Sequence, residues 1–187
     1  MPVAQLARRP PRGGPKVTVL LVIGWLVLER LLDLASLQQL RLVQGAGEGV
    51  FPVWFMPLEY AGLALAVAVT AGAGWALWNR RVLGGFLVVV LAAREVFGVV
   101  MRQAWLSTQD GPPYPASAAL MELGQMAVWA GVLWALFWGP GRWWLGVDER
   151  RRGHVLLQGG GVGALWAVGA MAAPVVLAAA SVARLGL

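Results

Sequence analysis

The sequence contains no cysteine and only one histidine, His154. Thiolate metal sites, iron–sulfur clusters, disulfides and covalently attached haem all need cysteine, so none of them can form within this chain. A single imidazole also excludes a haem held between two histidines of this protein and a metal site built on several imidazoles. We therefore expect no cofactor bound covalently or through His or Cys ligands, and we predict no metal site.

Charged residues are also scarce. They make up 13% of the chain, against about 25% in a typical soluble domain. Hydrophobic residues make up 59%. A soluble protein of this size could not hide so much apolar surface without a large oligomer interface, whereas a bilayer accepts it on the outside of the protein. The 11 Trp residues favour membrane interfaces. The composition therefore predicts an integral membrane protein.

The sequence lacks the short alternating strands that a membrane β-barrel requires. Instead it has continuous apolar stretches, each near the ~20 residues needed to cross ~30 Å of hydrocarbon. We therefore predict an all-α integral membrane protein, a bundle of about five transmembrane helices. The predicted helices cover about residues 17–37, 50–78, 82–106, 116–138 and 155–183.

The first sixteen residues, MPVAQLARRPPRGGPK, are rich in Arg, Pro and Gly and have no periodicity. They predict a basic tail (1–16) ahead of a single transmembrane domain (17–187). A cleavable signal peptide is the alternative, because a basic stretch precedes an apolar run. That run is long, carries Glu29, Arg30 and Asp33, and is followed by no small-residue cleavage site, so we interpret it as a retained first helix.

Basic residues alternate between the segments that join the predicted spans. Ten lie on one side: Arg8, Arg9, Arg12, Lys16, Arg80, Arg81, Arg142, Arg150, Arg151 and Arg152. Two lie on the other: Arg41 and Arg184. The positive-inside rule then predicts a cytoplasmic N-terminus and an outside C-terminus in a multi-pass protein of a bacterial-type inner membrane. We attribute the net charge of +6 to orientation and lipid contact, not to nucleic acid. The predicted headgroup contacts are Arg80, Arg81, Arg150, Arg151 and Arg152, with His154 at the same surface.

Several ionisable or polar residues fall inside the predicted spans, where each charge costs ~2.5–3.5 kcal/mol at a helix centre. This intramembrane polar set is Glu29, Arg30, Asp33, Glu59, Tyr60, Arg94, Glu95, Arg102, Glu122 and Gln125. With ~1.5 Å of rise per residue, all of them fall between the midplane and the outer leaflet. Two interpretations stay open: ion pairs that hold the bundle together, or a polar cavity for a headgroup, a cation or a proton relay.

The last predicted helix begins with the glycine-rich sequence GGGVGALWAVGA. Gly159, Gly163 and Ala167 are spaced by four residues, so they share one helix face and let another backbone approach closely. We predict that this face packs against a helix, either from this chain or from a partner.

No nucleophile and base pair stands out, so we predict no catalytic residue and lean against an enzyme. The favoured function is an accessory, non-enzymatic subunit of a larger inner-membrane complex, with energy conversion as one setting. The alternative is a small transporter or a lipid-headgroup-binding protein that uses the outer-half carboxylates. The expected partners are membrane lipids and other membrane subunits, and contact with a lipid or quinone stays open.

The predicted topology is tested by reporter fusions that are active only outside the cytoplasm. Fusions after Leu187 or near Gly111 should be active, and fusions near Arg81 or Arg151 should be silent, because the basic turns stay inside. Activity at Arg81 would contradict the five-span arrangement.

Overall fold

The computed structural model describes residues 14–46, 55–108 and 115–184, and within these ranges every regular element is a helix. The first five residues predicted for the second span, 50–54, lie outside the described residues. In chain order the helices are α1 Gly14–Ala46, α2 Phe55–Trp78, α3 Val82–Leu106, α4 Ala116–Phe137, α5 Gly141–Leu145 and α6 Glu149–Arg184.

By length and composition, four helical segments among the described residues are apolar enough to cross a membrane. They are Phe55–Trp78, Val82–Ala104, Ala116–Phe137 and Glu149–Leu177. The sequence predicts five spans, and the difference is α1. This helix has 33 residues, ample length for ~30 Å of hydrocarbon, but Glu29, Arg30 and Asp33 interrupt its apolar part. The chain is thus a helical protein with four membrane-span candidates and one long charged helix.

Three boundaries differ from those predicted. α1 starts at Gly14, so the last residues assigned to the tail are helical; Pro15 is tolerated there because the first turn needs no amide donor. At its other end α1 continues to Ala46 through Leu, Gln and Arg, which are good helix formers. α6 starts at Glu149, inside the predicted 139–154 loop, because the Asp148 side chain accepts a hydrogen bond from the Arg151 amide and caps the helix.

The helix α3 is the centre of the bundle. It packs most extensively along α6, next along α2, and also against α4, while α1 packs against α2, α4 and the short α5. Large side chains at the centre come from α1, α2, α3 and α4, and Trp129, Phe137 and Leu91 are almost completely buried. Burial holds these helices side by side, with the polar residues of α1 turned toward α3 and α4.

Arginine and tryptophan meet at the end of the bundle where α2 turns into α3. Trp144 of α5 donates its indole N–H to the Leu77 carbonyl at 2.7 Å. The Arg80 guanidinium lies 4.2 Å from the centre of the same indole ring. Such cation–aromatic contacts stabilise by roughly 0.5–2 kcal/mol each. They attach the short α5 to the turn between α2 and α3.

The contact between α3 and α6 depends on two glycines. A Cβ atom added at Gly159 would lie 2.9 Å from the Val89 side chain. One added at Gly163 would lie 2.7 Å from the Ala93 Cβ and closer still to a backbone carbonyl of α3. Ala167, one turn further along, is 3% exposed. The glycine face of α6 therefore packs against α3 of the same chain.

We predict that Gly163→Ala destabilises the protein by about 1–3 kcal/mol, because the added methyl group forces α6 away from the α3 backbone. Gly161→Ala is the matched control. Gly161 is exposed and a Cβ there meets nothing within 4 Å, so this change should be neutral or slightly stabilising. Reversible unfolding in detergent measures the free energy of unfolding of both variants. Equal losses would contradict the close packing of α6 on α3.

Candidate functional site

Five charged residues from α1 and α3 meet inside the bundle. We call Glu29, Arg30, Asp33, Arg94 and Glu95 the charge cluster. The helix α4 completes its surroundings with Gln125 and Trp129. The site is thus assembled from three helices that are distant in sequence.

Glu29 lies at the centre of this arrangement and is 2% exposed. Its carboxylate accepts hydrogen bonds from the Trp129 indole at 2.8 Å, from the Gln125 amide at 3.2 Å and from the Arg30 guanidinium at 2.7 Å. Hydrogen bonds from several donors are what a buried carboxylate needs to remain stable away from water. Glu29 thereby joins α1 to α4.

Arg30 joins α1 to α3. One terminal nitrogen, Nη1, lies 2.5 Å from Asp33 Oδ2, and the other, Nη2, lies 3.5 Å from Glu95 Oε1. Glu95 also pairs with its neighbour Arg94. The Arg94 guanidinium in turn lies 5.1 Å from the centre of the Trp166 ring on α6. A continuous set of polar contacts therefore runs from α4 through α1 and α3 to α6.

The formal charges of the cluster nearly cancel, with two guanidinium groups against three carboxylates. Near neutrality matters because an isolated ion in a low-dielectric interior costs several kcal/mol. Removing one partner of such a pair leaves the other charge uncompensated, which typically destabilises by about 3–5 kcal/mol. In this geometry the main effect of the charges is to hold the helices together.

A second, smaller set joins α3 to α4 nearer their connection. Glu122 Oε1 lies 2.9 Å from Arg102 Nη1, and Glu122 Oε2 accepts a hydrogen bond of 2.7 Å from the Gln103 amide. The Arg102 side chain is 56% exposed while Glu122 is buried. This pair is therefore half open to its surroundings, unlike the charge cluster.

Glu59 and Tyr60 do not join either set. Glu59 is half-buried and forms no ion pair with the described residues, and Tyr60 is 42% exposed. The physical reason is the packing of α2, whose buried residues all lie in its second half, from Ala66 to Leu77. The part of the helix before Ala66, which carries both residues, has no buried side chain.

Sequence reasoning missed three neutral contributors: Gln103, Trp129 and Trp166. Trp129 carried a usable signal, because it follows Gln125 by four residues and Glu122 by seven and so shares their helix face. Hydropathy alone places it in the apolar span 116–138. An indole is apolar on scales of hydropathy yet donates one strong hydrogen bond.

The predicted headgroup-contact arginines divide into two groups. Arg81 and Arg152 lie over the rings of Trp75 and Trp138, at 4.6 Å and 5.0 Å from the ring centres, as Arg80 lies over Trp144. Arg150 and Arg151 are exposed beside His154, whose ring nitrogen is 2.9 Å from the Arg150 carbonyl. Arg151 also lies 4.0 Å from Asp148. Contact of these arginines with anionic headgroups stays a prediction.

Comparison of the chain with protein-family models, with curated proteins and with solved structures yields no match. Among the described residues no group of three or more His, Asp or Glu side chains is arranged to hold a metal ion. Function is therefore inferred from the geometry of the charge cluster and of the surfaces around it.

We predict that Glu29→Leu destabilises the protein by about 3–5 kcal/mol, because Arg30 and the donors on α4 lose their acceptor in a buried setting. Glu59→Leu is the matched control on α2 and should change stability by less than about 0.5 kcal/mol, since no ion pair is lost. Unfolding in detergent, followed by circular dichroism, measures both. Equal losses in the two variants would contradict the locking role of Glu29.

Proposed function

We propose that this chain is a non-enzymatic subunit of a larger assembly in a bacterial-type inner membrane. The observation that carries the proposal is that the charged side chains of the cluster form ion pairs with one another. Charges engaged in holding α1, α3 and α4 together are not presented to a substrate. Buried polar groups that hold helices together are expected in a scaffold protein more than in a catalyst or a carrier.

The proposal includes α1 as a fifth span. Its three central charges are Glu29, Arg30 and Asp33, and their partners on α3 and α4 reduce the cost of placing them in a bilayer. Five spans put the Arg and Trp residues near the α2–α3 turn on the cytoplasmic side, together with the N-terminus. The C-terminus then lies outside.

The outward face of α6 is the surface where a partner helix would dock. α6 packs chiefly along α3, and its opposite face exposes Gly161, Leu165 and Gly169. A Cβ at either of these glycines meets nothing within 4 Å. The two glycines leave open space on either side of the exposed Leu165, into which side chains of a second helix could pack.

A small transporter or lipid-headgroup-binding protein is the second candidate class. It requires a hydrated route to the carboxylates of the charge cluster. The cleft between α1 and α2 reaches Arg30, and this supports the second candidate class. However, the residues that line the cleft include none of the carboxylates of the charge cluster. We therefore favour the subunit over the transporter, and an energy-converting membrane complex is one assembly to which it could belong.

The test is purification in mild detergent of the chain and of a double variant, Gly161→Leu with Gly169→Leu. We expect a stoichiometric membrane partner with the unaltered chain, and its loss with the double variant, because the leucines hold a docking helix away. Gly131→Leu is the control, since Gly131 is an exposed glycine with open space on α4. A stable monomer without a partner, or equal loss in the control, would reject the proposal.

A further inference from the structure

A cleft of about 530 Å³ lies between α1 and α2. Its walls are apolar side chains apart from Arg30, Thr70 and the edge of Trp75. Several of the wall residues are also widely exposed, including Val27, Leu31 and Val67. The volume falls in the range of small-molecule sites, roughly 300–1,000 Å³. The cleft therefore opens along the side of the bundle and is large enough for part of a lipid-like molecule.

Two polar atoms in the wall of the cleft have no hydrogen-bond partner among the described residues. They are Thr70 Oγ1 and Arg30 Nε. Thr70 is 7% exposed and Arg30 is 6% exposed. An unpaired donor buried in a protein costs about 1–3 kcal/mol, so such atoms need an explanation. Both atoms lie beneath the surface of the cleft. The Arg30 guanidinium is held in place by Glu29 and Asp33, so the Thr70 hydroxyl is the donor that a side-chain rotation can present to an occupant with a hydrogen-bond acceptor.

The depth of these atoms argues against a charged occupant. Lys16 lies over Trp78 and Ile23 packs near Gly74, so α1 and α2 run antiparallel from this end. At ~1.5 Å per residue, Thr70 lies ~12 Å from Trp78 along α2. Gly74 lies ~6 Å from Trp78, and Arg30 is seven residues beyond its neighbour Ile23, so Arg30 lies ~17 Å from the same end. Both residues are therefore near the middle of a ~30 Å bilayer core. A phosphate at that depth would lose its hydration, and Arg30 is already neutralised by Glu29 and Asp33.

We propose that the cleft between α1 and α2 binds an isoprenoid quinone. A quinone ring is uncharged, carries carbonyl acceptors for the Thr70 hydroxyl, and has a long apolar tail for the walls of the cleft. Threonine in a helix has two accessible side-chain rotamers, so a small rotation presents the Thr70 hydroxyl to the ring. This binding site rests on the part of the proposed function that makes α1 a membrane span, but it does not use the outward face of α6, so failure of partner docking leaves it standing.

The experiment uses the full chain in detergent with decylubiquinone as the probe, and with decylbenzene as an analogue that has the tail but no carbonyl groups. Thermal unfolding followed by circular dichroism reports binding, because a ligand of the native state raises the unfolding midpoint in a saturable way. We expect a saturable rise with decylubiquinone and a much smaller rise with decylbenzene. Equal rises with both compounds, or no saturable rise, would overturn the proposal.

Thr70→Val separates binding from folding. Valine keeps the shape and removes a hydroxyl that has no partner among the described residues, so the empty protein should be as stable as before or more stable. The affinity for decylubiquinone should fall about three- to tenfold, as expected for one lost hydrogen bond. Unchanged affinity in this variant would reject the role of Thr70 and with it the proposed site.

Ala71→Phe tests the position of the site, because Ala71 lines the cleft and is exposed, so the larger ring fills the cleft without disturbing the core. Ala68→Phe is the matched control, an exposed alanine three residues earlier that does not line the cleft. Binding should be lost in the first variant and kept in the second. Retention in both, or a stoichiometric phospholipid at the cleft in place of the quinone, would overturn the proposal.

Discussion

The burial of one carboxylate, that of Glu29, is the constraint on which the rest of the bundle depends. A charge at 2% exposure is stable only if donors surround it, and here they come from Trp129, Gln125 and Arg30. Meeting that requirement sets the rotation of α1 and the register of α4. Arg30 then needs acceptors of its own, and Asp33 and Glu95 supply them, which brings α3 into the same layer.

The remaining helices are attached by other means. α6 approaches α3 through Gly159 and Gly163, where the absence of side chains permits close backbone contact. α2 packs through mostly small residues from Ala66 onward together with Leu77, and Glu59 lies in the part of the helix that has no buried side chain. Directional polar contacts therefore position α1, α3 and α4, whereas small residues and dispersion hold the outer helices. Surfaces left open by this division are the outward face of α6 and the cleft beside α1.

These two open surfaces suggest different roles for one rigid centre. The outward face of α6 suits a helix of another protein, and the cleft suits an uncharged amphiphile of the bilayer. Neither role asks the charge cluster to react, and both benefit from a bundle whose helices do not shift.

The sequence by itself determined the all-helical class, the apolar segments and the residues whose charges had to be neutralised, because hydropathy and span length are local properties of the chain. It also placed Gly159, Gly163 and Ala167 on a packing face, since a spacing of four residues needs only helix geometry. Only the tertiary structure decided the partners: Glu29 with Trp129, Glu122 with Arg102, and Glu59 with neither set. Which residues meet across helices depends on the rotation and tilt of each helix, and these are set jointly by all packed neighbours.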